Sequence, residues 1–130
     1  DFPDYSVEAL LDVPLFEQVI NNLLYNAIKF TPDGGKISLT LAYTDDEQVL
    51  FSIRDNGIGI PETHLVNFFK GISIIKRAGL KGEKSTGLGL YICQQIVKIH
   101  LGSISVISKE NEGSTFTVHL PTPKPSAAYY

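Results

Sequence analysis

The chain has 130 residues, of which 43% are hydrophobic and 19% charged, and its formal net charge is −3. This composition predicts a single globular domain with its own core and excludes a disordered chain. The acidic balance gives no global basic field for nucleic acid, and one cysteine, Cys93, excludes internal disulfides and cysteine-based zinc clusters. Because the chain contains no methionine, it is expected to be a piece of a longer protein. Because it has no long apolar run, this domain is expected to make no direct membrane contact. Cys93 itself is expected to be a buried, inert thiol.

The amino-terminal part predicts a short strand followed by a long helix. Residues 5–11 are assigned to the strand. Asp12 is suited to cap the helix and Pro14 to its first turn. Apolar residues then recur at helical spacing as far as residue 30, and Pro32 disfavours any continuation.

Three polar residues of this helix, Asn22, Asn26 and Lys29, are spaced to share one narrow face. We expect that face to lie roughly opposite the centre of the apolar stripe. Asparagine is a poor residue for a helix interior because its amide competes for backbone hydrogen bonds. The face is therefore either a solvated surface or a site for a metal ion and phosphates, and the helix alone does not decide between them.

Alternation of apolar and polar residues predicts two antiparallel hairpins, at residues 36–54 and 103–120. A short helix is expected at residues 62–69, and a second helix follows a glycine-rich turn and ends before Gly102. The side chains assigned to the inner face of the hairpins are Ile37, Leu39, Leu41, Tyr43, Val49, Phe51, Ile53, Ile104, Val106, Phe116, Val118 and Leu120.

The second strand of the first hairpin runs into Asp55, Gly57 and Gly59. Glycine allows backbone to approach a ligand closely or to adopt a positive φ. Two glycines alone mark a turn more often than a site, but a carboxylate at the strand end ahead of them is a stronger combination.

Residues 70–86 contain five basic side chains, one acid and several glycines, with no clean period. Such a segment within a compact domain is either a solvated loop or a lid over a small polyanion. The turn at Gly87 and Gly89 then opens the helix, where unpaired backbone N–H groups can bind an anion.

Together these stretches resemble the motifs of sensor histidine kinases, in the family's order. Residues 22–30 resemble the N-box, residues 55–59 the G1 box, residues 82–90 the G2 box, and residues 113–116 the closing glycine-threonine motif. The match covers nearly the whole chain, and four motifs in sequence are very specific. The resemblance implies a catalytic ATP-binding domain at residues 1–125, with a tail at 126–130. Its fold would be the α+β two-layer sandwich of the GHKL superfamily, a mixed but mostly antiparallel sheet packed against three helices, with an ATP lid.

The resemblance also implies the roles of individual residues. Asn22 would bind Mg²⁺, and Asn26 would contact the metal or the phosphates. Lys29 would pair with phosphate, and Phe30 would pack on the adenine. Asp55 would accept the adenine amino group, and Thr115 would support Asp55 through a hydroxyl or a shared water. Gly57 and Gly59 would open space for the base. The remaining residues assigned to nucleotide binding are Ile60, Lys84, Thr86, Gly87, Leu88, Gly89 and Leu90.

By the same resemblance the domain would be cytoplasmic and would pass the γ-phosphoryl group of ATP to a histidine on a helical dimerisation hairpin, with a response regulator as an indirect partner. None of the three histidines is followed by the acid of the family's H-box, so the acceptor is expected outside this chain. The alternatives are a GHKL-type ATPase clamp, a non-catalytic nucleotide-binding module and a serine-phosphorylating anti-sigma relative. Clamp ATPases have a glutamate base where this chain has Asn22, whose amide cannot take a proton.

Overall fold

A computed structural model describes residues 1–69 and 88–122, apart from the side chains of residues 67–69. Residues 70–87 and the predicted domain boundary at 125 lie outside the described residues. The elements are α1 (Val13–Phe30), β1 (Ile37–Tyr43), β2 (Val49–Asp55), α2 (Glu62–Phe69), α3 (Leu88–Ile99), β3 (Ser103–Lys109) and β4 (Gly113–Leu120). The helices and hairpins predicted within these ranges are confirmed. None of the described helices is long and apolar enough to cross a lipid bilayer.

Both ends of α1 are set by local chemistry. The Asp12 carboxylate accepts a hydrogen bond from the Leu15 N–H at 3.1 Å, and a proline occupies the first turn. At the other end the Thr31 hydroxyl donates to the Ala27 carbonyl at 2.6 Å, and Pro32 follows. A capping side chain of this kind is worth about 1 kcal/mol. The caps therefore define where α1 stops, which places Phe30 at the entrance to the turn before β1.

The four strands form one sheet in the order β1-β2-β4-β3, and each pairing among the described residues is antiparallel. The two hairpins supply the outer pairs, and β2 and β4 meet in the middle. Asp55, the last residue of β2, lies opposite Ser114 at the start of β4. The mostly antiparallel sheet of the prediction is confirmed, and the end of β2 is held between Ile37 of β1 and Ser114 of β4.

The helices and the inner face of the sheet enclose one core. Helices α1 and α3 pack against each other, α1 also contacts β2, and α2 and α3 contact β3. Burial of each large aliphatic or aromatic side chain stabilises the folded state by about 1.5–3 kcal/mol. This cluster is therefore the main source of stability in the fold. Its buried members are Phe16, Val19, Leu23, Ala27, Val49, Phe51, Ile53, Ile60, Leu90, Cys93, Ile96, Val97, Val106, Phe116, Val118 and Leu120.

The strand predicted at residues 5–11 is wrong. Its alternation is present, because Val7, Ala9 and Leu11 are the half-buried positions that pack on the core. The backbone does not join the sheet, however, and the Glu8 N–H donates instead to the Tyr43 hydroxyl at 2.9 Å. The alternation of apolar and polar residues is therefore due to an extended segment that lies on the core. Hydrophobicity alone cannot distinguish such a segment from a paired strand.

Tyr43 is on the predicted inner face, opposite Val49, but it is not covered by the core. It ends β1, is 37% exposed, and stacks on the ring of Tyr5 with centroids 5.9 Å apart. At the last position of an edge strand, the core no longer covers an inner-face side chain. The ring is covered by the amino-terminal segment instead.

Candidate functional site

The polar face of α1 lies beside the buried face of the helix and not opposite it, so that part of the prediction is wrong. Asn22 and Asn26 are half-buried, and Lys29 is only 7% exposed. The solvent side carries Tyr25 and Ile28, at 56% and 62% exposure. Ile28 fits the predicted apolar stripe by spacing but is not part of the core, so the buried stripe is centred closer to the polar residues than predicted. As a result the three polar side chains lie along an edge of the core.

The Lys29 ammonium group is held against two aromatic rings. Its nitrogen lies 4.9 Å from the centroid of the Phe30 ring and 5.5 Å from that of Tyr25. Ring quadrupoles attract a cation at this range, and the aliphatic stem gains apolar contact. Because the group is largely withdrawn from water, its attraction for an anion is less screened than on an open surface. Phe30 itself is 4% exposed, so it forms part of the wall behind Lys29.

The Asp55 carboxylate is fixed at the end of β2. It is 5% exposed, and its Oδ1 atom accepts a hydrogen bond from the Gly57 N–H at 2.9 Å. This is a local turn in which an aspartate side chain bonds to backbone two residues ahead. The next N–H, that of Ile58, donates to the Phe30 carbonyl at 3.1 Å. The end of β2 is thereby tied to the end of α1, which brings Asp55 and Lys29 to the same region.

Gly57 and Gly59 are required where two stretches of backbone touch. A Cβ atom on Gly57 would lie 2.1 Å from the Phe30 carbonyl oxygen, and one on Gly59 would lie 2.1 Å from the Lys109 carbonyl oxygen. Gly59 also has a φ of +71°, which a residue with a side chain adopts only with strain. The predicted role of opening space for a base remains a prediction. The structure assigns both glycines a packing role in holding the segment after β2.

The start of α3 lies next to Asn22. Leu88 is 47% exposed, whereas Leu90 is 8% exposed and belongs to the core. A Cβ atom on Gly89 would meet no heavy atom closer than Asn22 Cγ at 3.8 Å, which is ordinary contact. Packing therefore does not demand glycine at this position, unlike at Gly57 and Gly59. In general, the first turn of a helix favours an anion nearby. The predicted contacts of Lys84, Thr86, Gly87 and the lid at residues 70–86 lie outside the described residues.

The role predicted for Thr115 is not supported by the register of the sheet. Thr115 pairs with Arg54 and with Ile107, which is 78% exposed, so it lies on the outer face. Side chains alternate along a strand, so Asp55 and Thr115 point to opposite faces. Ser114, 5% exposed, is the residue opposite Asp55 on the inner face. Because side chains alternate along a strand, Ser114 shares the inner face with Phe116, two residues away, and could have been predicted from the sequence.

Ser108 is a second residue that the sequence reading missed. Its hydroxyl accepts a hydrogen bond from the Ile60 N–H at 2.8 Å, and it lies 2.7 Å from the Ser114 hydroxyl. Ile60 is 2% exposed, so this bond satisfies a buried donor. The Asn111 N–H also donates to the Ile58 carbonyl at 2.8 Å. The turn between β3 and β4 is therefore bonded to the segment after β2.

Cys93 is buried, as predicted. Its side chain is fully covered, and the thiol donates to the Val19 carbonyl with a sulfur–oxygen distance of 3.7 Å. Burial raises the pKa of the thiol to about 11, with hydrogen bonding from Asn22 acting in the opposite direction. Cys93 is therefore a neutral thiol at physiological pH, and its place is between α1 and α3 directly behind Asn22.

The domain matches a known protein family. Residues 11–124 match the family of histidine kinase-, DNA gyrase B- and HSP90-like ATPases. The chain belongs to this family of ATPases. Nucleotide use is therefore a property of the domain, and the predicted fold and family are confirmed.

Individual relatives of this ATPase domain are sensor kinases. The sensor histidine kinase TmoS of Ectopseudomonas mendocina is 38% identical over 121 residues, which are 93% of this chain and 12% of TmoS. The nucleotide-free catalytic domain of the histidine kinase ThkA aligns with a TM-score of 0.73 and 32% identity, over 94% of this chain and 78% of that one. Full-length ShkA in complex with AMPPNP aligns with a TM-score of 0.69 and 26% identity, over 89% of this chain and 23% of that one. The chain thus spans a small part of the curated relative.

Proposed function

We propose that this ATPase domain binds Mg-ATP and donates its γ-phosphoryl group to a histidine on a helical dimerisation hairpin of the same kinase. The observation that carries the proposal is the joining of the end of α1 to the end of β2. The Ile58 N–H donates to the Phe30 carbonyl, which ties the segment that follows Asp55 to the residue that follows Lys29. A base reader and a phosphate ligand are thus held by rigid elements. ShkA, solved with AMPPNP, gives the same proposal support from a relative.

The side chains on α1 fit a magnesium ion that is held mainly by its nucleotide. Mg²⁺ prefers oxygen ligands, keeps several waters, and is often held by few protein groups together with phosphates. The amide oxygens of Asn22 and Asn26, one helical turn apart, can supply such ligands. Within residues 1–69 and 88–122, no group of three or more His, Cys, Asp or Glu side chains could form a metal site without the nucleotide.

Phosphoryl transfer needs positioning and charge neutralisation more than covalent chemistry from the protein. Asp55 orients the base by accepting a hydrogen bond from its amino group. Lys29 binds the phosphates with an ammonium group that is shielded from water. Mg²⁺ would supply neutralisation of the negative charge on the phosphate oxygens. Asn22 and Asn26 hold the ion side of the site without taking or giving a proton.

An ATPase clamp is the second candidate function, and the lack of a proton-accepting side chain at position 22 argues against it. A clamp needs a general base to activate water, and the corresponding position here is Asn22. A non-catalytic binding module would share the nucleotide contacts, so transfer to an acceptor is what separates it from a kinase.

An exposed apolar surface on α3 supports a helical partner. Leu88, Tyr91, Ile92 and Ile99 are 47%, 41%, 39% and 69% exposed. Their spacing puts them on one side of the helix, away from its buried face. Exposed apolar side chains grouped at the start of α3 are suited to contact with a helical hairpin that must reach the γ-phosphate. The proposal places the domain in the cytoplasm, with a response regulator as an indirect partner that receives the phosphoryl group from the hairpin.

Labelling with γ-³²P-ATP and Mg²⁺ tests the proposal. We expect the domain alone to stay unlabelled, and an acid-labile label to appear on an acceptor hairpin of the parent kinase supplied as a separate polypeptide. A Tyr91→Ser, Ile92→Ser double variant should bind ATP normally but label the hairpin more slowly. An Ile107→Ser variant, changed on the far face of the sheet, is the matched control and should transfer at the wild-type rate. Stoichiometric histidine labelling of the domain alone would contradict the proposal.

A further inference from the structure

Ser108 makes three contacts that join the segment after β2 to the start of β4. It lies on β3 opposite Ser114, and its side chain faces the inner side of the sheet. Its Oγ atom is 2.8 Å from the Ile60 nitrogen, 2.9 Å from the Gly113 carbonyl oxygen and 2.7 Å from the Ser114 Oγ atom. A serine hydroxyl can donate one hydrogen bond and accept two. These contacts therefore use the full capacity of the Ser108 oxygen.

The direction of each hydrogen bond follows from the chemistry of its partners. The Ile60 N–H can only donate, so Ser108 accepts there, and the Gly113 carbonyl can only accept, so Ser108 donates there. The single proton of Ser108 is then used. The contact between the two hydroxyls is a hydrogen bond only if Ser114 donates to Ser108. In the opposite arrangement the Gly113 carbonyl would lie 2.9 Å from an oxygen lone pair, and a hydrogen bond would be lost.

We propose that Ser108 is a positioning residue that fixes Ser114 as a hydrogen-bond acceptor in the base site, and so contributes to the choice of adenine over guanine. The inference rests on the proposed binding of ATP with its base at Asp55. With its proton directed to Ser108, Ser114 can present only lone pairs to the rest of the site.

Ser114 is well placed to act in this way because it lies opposite Asp55 and is 5% exposed. The base would then face two acceptors, one carboxylate and one hydroxyl oxygen. Adenine carries an amino group that can donate to either, directly or through a water molecule. Guanine carries a carbonyl oxygen at the same ring position, which would face acceptors without a proton between them. Ser108 thereby affects selectivity without touching the nucleotide.

The Ser108→Ala variant tests this assignment because it leaves the Ser114 proton free to turn into the site. A freed hydroxyl can donate to the guanine oxygen. The ATP-to-GTP ratio of binding constants should therefore fall by about 2- to 10-fold, the range of one neutral hydrogen bond. In a Ser114→Ala background, where no proton can be freed, adding Ser108→Ala should leave the ratio unchanged. Ser105→Ala, on the outer face of the same strand, is the matched control, and Ser108→Thr, which keeps the hydroxyl, should retain the wild-type ratio.

The measurements are calorimetric titrations with ATP and GTP in the presence of Mg²⁺. If Ser108→Ala weakens the binding of ATP and the binding of GTP by the same factor, the role of Ser108 is purely structural and the inference is overturned. If that variant does not fold, neutron diffraction from wild-type crystals decides, because a deuterium on Ser114 Oγ directed away from Ser108 would overturn it. If the folded wild type binds no nucleotide at all, the proposed function fails first. Wild-type ATP binding with an unchanged ratio in the variant refutes only the role of Ser108.

Discussion

The Asp55→Asn variant is expected to bind ATP about 10- to 150-fold more weakly than the wild type, the loss typical of a hydrogen bond to a buried charged group. The Gly57 N–H, which donates to Oδ1 of Asp55 at 2.9 Å, should hold the new amide oxygen in the same place. The amide nitrogen then faces the base. Both it and the adenine amino group are donors, so they cannot form a hydrogen bond with each other. The same nitrogen can donate to the guanine oxygen, so the preference for ATP over GTP should narrow as well.

Calorimetry with ATP and GTP at constant Mg²⁺ measures both effects. The Asp46→Asn variant is the matched control, because Asp46 is exposed in the β1–β2 turn and its loss changes net charge by the same amount. Asparagine is nearly isosteric with aspartate, so both variants should keep the native circular dichroism spectrum. A folded Asp55→Asn protein with wild-type affinity for ATP would mean that adenine is read elsewhere.

The Gly57→Ala variant is expected to lose both stability and ATP binding. Its Cβ would lie 2.1 Å from the Phe30 carbonyl oxygen and 2.9 Å from Oδ1 of Asp55, and neither neighbour can give way without moving the site. Forcing a methyl into a packed contact typically lowers the free energy of unfolding by about 1–3 kcal/mol. Because the contact joins the ends of α1 and β2, relief of the clash should displace Asp55 relative to Lys29. Urea unfolding and an ATP titration measure the two losses separately.

Gly34→Ala is the control that separates backbone strain from a clash. Gly34 has a φ of +83°, yet a Cβ there would meet nothing within 4 Å. Alanine should therefore cost about 1–2 kcal/mol of strain while leaving ATP affinity unchanged. If Gly57→Ala matched this pattern, with normal ATP affinity, the contact with Phe30 would have no role in positioning the site.

Most of the elements could be predicted because their signals are local. Asp12 and Pro32 mark the ends of α1 by their own chemistry, and alternation over β2 gives Val49, Phe51 and Ile53 as inner residues, all of which are buried. The order β1-β2-β4-β3 depends on contacts between distant hairpins, so it could not be predicted from local patterns. The joining of Phe30 to Ile58 is likewise a contact between backbone groups, which leaves no pattern in the side chains.

The errors about the site have two physical causes. The polar face of α1 lies closer to the core than predicted because Ile28, which fits the apolar stripe by spacing, is exposed to solvent. The role of Thr115 was implied by the resemblance, whereas the register puts Ser114 opposite Asp55, and a step of one residue reverses the face of the sheet. Ser108 could not be found from a motif of the site, because its role depends on hydroxyl geometry across two strands.

The most direct test of the account is a calorimetric titration of the domain with AMPPNP, a non-hydrolysable ATP analogue, in Mg²⁺ and again in EDTA. Circular dichroism first establishes that the protein is folded in both buffers. The account predicts binding of one nucleotide per domain, with a clearly higher affinity in Mg²⁺ because Asn22 and Asn26 add ligands to the ion held by the phosphates. A folded domain that binds no nucleotide, or binds it equally well in EDTA, would contradict the proposed Mg-ATP site.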